Sequence, residues 1–213
     1  MSNQSYFLND EQKMIRDTAR DFAHNELSPY ASSWDEGEEF PTEIYSKMGS
    51  LGLMGMLVSE EWGGSGADHV SYALALEEIA AGDVGASTGM SVNNSLVCTG
   101  IEAFGSDFQK TEILTPLVRG EALGCFCLTE PQAGSDAASV RTKAVLDGNS
   151  WVLNGTKQFI TNGSKADFAL VFAVTDPDAG KKGISCFIIP TEKKGYNVSR
   201  IEKKMGQRGH DTA

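Results

Sequence analysis

The chain has 213 residues, 40% of them hydrophobic and 22% charged, and a net charge of −11. Its length exceeds the usual single domain, and its composition is that of a folded globular chain rather than a disordered one. The acidic balance speaks against a nucleic-acid surface, which needs clustered Lys and Arg, and against attraction to an anionic membrane.

The first half reads as helical. Asn9 is placed to cap a helix, with Gln12 as its capping-box partner, and Ile15, Ala19 and Phe22 form an apolar stripe behind it. Asp35 to Glu39 reads as a solvated acidic loop. Pro41 suits the first position of the next helix. Met48 to Val58 is apolar and glycine-rich and runs into Gly63-Gly64-Ser65-Gly66, which lacks the strand and the Lys-Ser/Thr of a phosphate loop and reads as a turn. Helical segments are expected at 70–81, at 84–104 despite poor intrinsic propensity, and at 108–119 with a break or kink at Pro116.

From Gly120 the period changes to two. Strands are expected at 123–128, 140–146, 150–153, 156–161, 168–175, 183–189 and 197–203, separated by turn signals at Asp147-Gly148, Asn154-Gly155 and 176–183. Helices followed by strands imply an α+β fold with segregated domains: an all-α domain at 1–120 and a β domain at 121–213, with the boundary near 119–124.

Two strand ends carry the chemistry. In Cys125 to Asp136 an apolar run stops at Thr129-Glu130-Pro131 and gives way to small and hydroxylated residues. Such an end is either an ordinary turn or a wall for a planar, polar-edged ligand, apolar side chains taking its face and amides and hydroxyls its rim. Residues 151–163 repeat the pattern, ending at Thr161-Asn162-Gly163.

Together these segments resemble the flavin-binding strand ends of the acyl-CoA dehydrogenase family. Leu51-Gly52-Leu53-Met54-Gly55, Glu60 to Gly66 and Met205-Gly206-Gln207-Arg208 fall in that family's order, and the likeness covers essentially the whole chain. Ser91 to Leu96, Gly124-Cys125-Phe126 and Lys182-Gly183-Ile184-Ser185 look most like its short-chain and branched-chain members. The resemblance implies a helical domain followed by an antiparallel, barrel-like β domain that is incomplete here, and a C-terminal helical domain beyond Ala213.

It also implies FAD as cofactor and α,β-dehydrogenation of short- or medium-chain acyl-CoA thioesters to 2-enoyl-CoA. Electron-transfer flavoprotein would be the acceptor, and the full-length form a homotetramer. The cofactor positions implied are Phe126, Cys127, Leu128, Thr129, Glu130, Pro131, Gly134, Ser135, Phe159, Ile160 and Thr161, with Ser135 also meeting substrate. Phe159 stands where many members have tryptophan, keeping an aromatic face but losing the indole donor. Gln132 replaces a more frequent glycine. A small-residue helix near 84–104 would leave room for an acyl tail. The catalytic base is a glutamate expected beyond Ala213, so no catalytic residue is expected in this chain, which alone should hold little FAD, associate and be inactive. The alternatives are a non-catalytic flavin- or CoA-ester-binding fragment and an acyl-CoA oxidase.

Competing chemistries lack residues. The four cysteines, Cys98, Cys125, Cys127 and Cys186, read as reduced packing residues. Cys125 and Cys127 share a strand face without metal-ligand spacing, and His24, His69 and His210 lie far apart, so no metal is expected. His210, after a glycine, reads as a solvated loop histidine. Ser135 lacks a nucleophile-elbow pattern. Lys181 and Lys182 are either solvated or placed to meet CoA phosphates. Met1 to Gln12 carries no leader core and no apolar run spans a bilayer, so a cytoplasmic location without membrane insertion is expected.

Overall fold

A computed structural model describes residues 7–213. The polar N-terminal stretch read for a leader therefore lies partly outside the described residues. The chain divides into two compact units, one running up to Leu123 and including Lys203–His210, the other comprising Gly124–Glu202 and Asp211–Ala213.

The first unit is helical. α1 (Asp10–Phe22) starts where expected: Asn9 Oδ1 accepts from the Gln12 amide at 2.8 Å and Gln12 Oε1 accepts from the Asn9 amide at 3.1 Å. A π turn (Ala23–Leu27) continues it. Next come α2 (Ala31–Gly37), α3 (Glu43–Ser50) and α4 (His69–Gly82), the last capped by Asp68. α5 (Val84–Ser91) follows, capped by Asp83; a π segment, Val92–Cys98, then leads into α6 (Thr99–Phe104). The stretch 107–118 is two short helices, α7 (Asp107–Gln109) and α8 (Thr115–Val118), around a π turn that precedes Pro116, the irregularity a helix needs to admit proline. Ala19, Phe22, Ile44, Met48, Met54, Ile79 and Met90 share one buried core.

Three expectations for this unit are corrected. Pro41 stands ahead of α3 rather than at its first position. Asp35 lies inside α2 and accepts from the Arg208 amide at 2.7 Å while its carboxylate pairs with the guanidinium at 3.0 Å, so it is not part of a solvated loop. His210 is 3% exposed, edge-on to Phe40, because the 203–210 segment packs within this unit.

The glycine loop at 63–66 is a turn, since its amides are already used: Gly64 donates to Ser59 O, Ser65 to Gly55 O and Gly66 to Val58 O. Two fully buried asparagines in the π segment fasten the Leu53–Met56 loop. Asn94 accepts from the Met56 amide at 2.7 Å and donates to Leu53 O at 2.9 Å, while Asn93 donates to Met54 O at 3.1 Å. Gly89 is required because a Cβ there would stand 2.0 Å from the Tyr45 hydroxyl oxygen, so this small residue admits a tyrosine rather than open space.

The second unit is a five-stranded sheet of β1 (Gly124–Cys127), β2 (Lys143–Asp147), β3 (Ser150–Asn154), β4 (Phe168–Val174) and β5 (Ile184–Pro190). It is mixed, not purely antiparallel. β2–β3 and β4–β5 are antiparallel, but β1 and β2 both run parallel to β4. Cys125, Cys127, Ile160, Ala166, Ala169 and Val171 form its core.

Residues 156–161 and 197–203 are not strands despite their alternation. Asn154-Gly155 is no hairpin either, neither residue having positive φ. A Cβ on Gly155 would lie 2.2 Å from Thr142 Oγ1, so the glycine serves a close approach. Among the described residues no helix is long and apolar enough to cross a membrane.

Candidate functional site

The site begins at a gap in the sheet. β5 pairs with the whole of β4, so β1 and β2 must share its other edge. β1 covers Phe168 to Val171, and β2 meets β4 only at Val174. On that side the backbone at Phe172 is thus left without a strand neighbour, and its carbonyl needs a donor. Lys157 supplies it, donating from Nζ to Phe172 O at 2.7 Å and to Leu128 O at 3.2 Å.

The charge brought into the gap is matched by Glu130, 2.7 Å from Nζ and 4% exposed. Glu130 Oε1 also accepts from the Thr142 amide at 3.0 Å and the Thr142 hydroxyl at 2.5 Å. Oε2 accepts from Gln132 Nε2 and the Arg141 amide, each at 2.6 Å. Burial raises the carboxyl, but Lys157, Thr142 and the two amides outweigh it and hold the group at about 2. Breaking one partner of such a pair leaves a buried charge unmatched.

This network aligns the two strand ends. The Gln158 amide donates to Thr129 O at 2.9 Å, joining them directly. Glu130 and Ala133 exchange amide–carbonyl bonds at 3.0 Å around Pro131-Gln132, so the loop turns sharply and leaves Gly134 and Ser135 exposed. Ile160 exchanges amide–carbonyl bonds with Ala213 at 2.8 and 2.9 Å, and Asn162 Nδ2 donates to Gly124 O at 3.1 Å.

The expected residues differ in burial. Cys127 and Ile160 turn their side chains into the core, so a ligand lying on the Phe126 side meets only their backbone. Phe126, Leu128, Thr129 and Thr161 are half-buried, and Phe126 packs on Phe172 with centroids 4.9 Å apart. Phe159 is 58% exposed at φ 59°, a left-handed conformation that costs a bulky residue of order 1–3 kcal/mol. Glu130 is committed inside the protein, and Pro131 is exposed. No side-chain hydrogen bond is made by Thr129, Ser135 or Thr161 among the described residues.

The sequence reading missed the roles of Lys157 and Thr142. Each sits in an alternating stretch where a polar residue reads as outward-facing, and nothing local marks a gap in the sheet beside them. Gln132, noted only as a replaced glycine, is a partner of Glu130. Lys181 and Lys182 are exposed in a 3₁₀ turn, Pro177–Gly183.

Residues 9–121 match the family model for the acyl-CoA dehydrogenase N-terminal domain, and residues 125–213 match that for its middle domain. The chain belongs to the acyl-CoA dehydrogenase family, a family of oxidoreductases. It is 47% identical over 210 residues to the mitochondrial short-chain specific acyl-CoA dehydrogenase of Homo sapiens, covering 99% of this chain and 51% of that protein. The butyryl-CoA dehydrogenase structure from Megasphaera elsdenii superposes with a TM-score of 0.92 at 39% identity, covering 97% of this chain and 55% of that one. A Mycobacterium smegmatis glutaryl-CoA dehydrogenase in complex with FADH2 gives a TM-score of 0.92 at 40% identity, covering 99% and 53%. The chain spans about half the length of the curated relatives it matches.

Proposed function

We propose that residues 1–213 supply the flavin-holding part of an FAD-dependent dehydrogenase that converts a short-chain acyl-CoA thioester to its 2-enoyl form. The observation that carries this reading is the pairing of the two strand ends through Gln158–Thr129 and Lys157–Glu130. It sets aromatic and apolar side chains beside hydroxyls that make no side-chain hydrogen bond among the described residues.

These residues fit a planar group with a polar edge. Phe126, Leu128 and Phe159 offer faces, while Thr129, Thr161 and the loop to Ser135 offer donors for a rim. A bound flavin would supply the oxidant for the β-hydrogen. The chain's own residues orient it: Glu130 and Lys157 fix the strand end that carries Thr129, and Phe159 is held ready in its left-handed turn. Ser135 faces the substrate side in this reading.

The α-proton needs a base, and the carboxylate at this strand end does not serve. Glu130 is buried, fully bonded and held ionised at about 2. On the family resemblance alone, we assign the base outside residues 1–213 and take electron-transfer flavoprotein as the acceptor. With FAD added, the chain should not bleach the flavin during an anaerobic titration with butyryl-CoA. Bleaching in step with butyryl-CoA would place a working base within these residues and overturn that assignment.

A further inference from the structure

Cys125 and Cys127 project from one face of β1, opposite the face that carries Phe126, and their sulfurs stand 3.6 Å apart. Both are buried, at 0% and 3% exposure. The Tyr196 hydroxyl lies 3.7 Å from Cys125 Sγ while donating to Gly163 O at 2.8 Å. Cys127 and Tyr196 also line a cavity of about 770 Å³ within the sheet unit, shared with Ile160, Val171 and Ile189.

The spacing decides what the pair can do. Two residues apart on a strand, their Cα atoms lie about 6.6 Å apart at ~3.3 Å per residue. That is at the upper end of the disulfide range, about 4.4–6.8 Å, and a bond of about 2.05 Å would need the sulfurs pulled together against the sheet. A single bridging atom needs no such movement, since sulfurs about 2.3 Å from a tetrahedral centre stand roughly 3.8 Å apart. A zinc ion would want further ligands, and among the described residues no group of three or more His, Cys, Asp and Glu could hold a metal. A thiophilic centre satisfied by two sulfurs is what remains.

We propose that Cys125 and Cys127 form a dithiol site that captures a trivalent arsenical, reached through the cavity beside Tyr196. With an organoarsenic oxide, two S–H bonds and the As–O double bond break and two As–S bonds form. The oxygen leaves as water with both thiol protons, and no atom changes oxidation state. The contact from Cys127 lowers the Cys125 thiol below its ordinary value, while that contact and burial raise Cys127, so the sulfurs react in sequence. This site does not depend on flavin binding.

The test is one equivalent of phenylarsine oxide on the native chain, followed by excess glutathione and intact-mass analysis. One phenylarsenic per chain should survive the monothiol and be released by a vicinal dithiol such as dimercaptopropanol. Tryptic mapping of the wild-type adduct should place it on the peptide between Arg119 and Arg141, which holds Cys125 and Cys127 and no other cysteine. Cys125→Ala and Cys127→Ala should each lose the stable adduct, and Cys98→Ser/Cys186→Ser should keep it. An adduct mapping elsewhere, surviving in either alanine variant, or absent from the folded wild type would overturn the proposal; the mapping stands even if an alanine variant fails to fold.

Discussion

At the residue scale, Lys157 and Glu130 occupy the gap beside Phe172 with an ion pair instead of a strand. Lys157→Met would strand a buried carboxylate and two carbonyls, and should cost about 3–5 kcal/mol by urea denaturation. Glu130→Gln/Lys157→Met should cost less than the sum of its two single changes, because it removes both charges; additive losses would mean the pair is not coupled.

Two buried groups, Glu130 and His210, set an acid response. Folded Glu130 titrates at about 2 against an ordinary 4.5, so its contribution is complete above pH 4.5 and is lost as pH falls toward 2. His210 is pushed down to about 4 from 6.5, first by burial and then by Lys204. Between those values the unfolded chain binds the proton more readily, so stability falls as pH drops from 6.5 to 4. Urea midpoints across pH should fall in both windows, and His210→Gln should flatten only the upper one.

At the element scale, the legible parts are those whose signal is local. The Asn9–Gln12 capping box and the stripe behind it give α1 at its true start. β3, β4 and β5 fall within a residue or two of their expected ranges, because their alternation meets a real neighbour. Residues 156–161 alternate as well, yet no strand lies beside them: Lys157 points into the gap and Ile160 pairs with Ala213. The parallel pairing of β1 with β4 depends on partners about forty positions apart, which period-two patterning does not encode.

The π segment Val92–Cys98 was equally hidden, because its cause is tertiary. Asn93 and Asn94 reach across to the 53–56 loop. Asn94→Ala should therefore cost about 1–3 kcal/mol, read from the urea midpoint at unchanged m-value, by leaving the Met56 amide and Leu53 carbonyl buried without that partner. A loss below about 0.5 kcal/mol would show that the loop is held by other means.

At the scale of the whole molecule, family membership was readable because several short motifs fall in order along the chain. The candidate site was less so: the apolar and hydroxyl residues proposed for it follow from the family resemblance, whereas the Lys157–Glu130–Thr142 network emerges only when distant segments are brought together beside β4. The role proposed for these paired segments is to hold a flavin. The direct measurement is a titration of the purified, folded chain with FAD, followed by flavin fluorescence. Weak, saturable binding is predicted. Phe159→Ala and Thr161→Val should each weaken it about tenfold, ~1.4 kcal/mol, whereas Phe104→Ala, at an exposed position in the helical unit, should change nothing. A folded chain that shows no saturable binding, or one whose binding ignores the Phe159 and Thr161 substitutions, would contradict it.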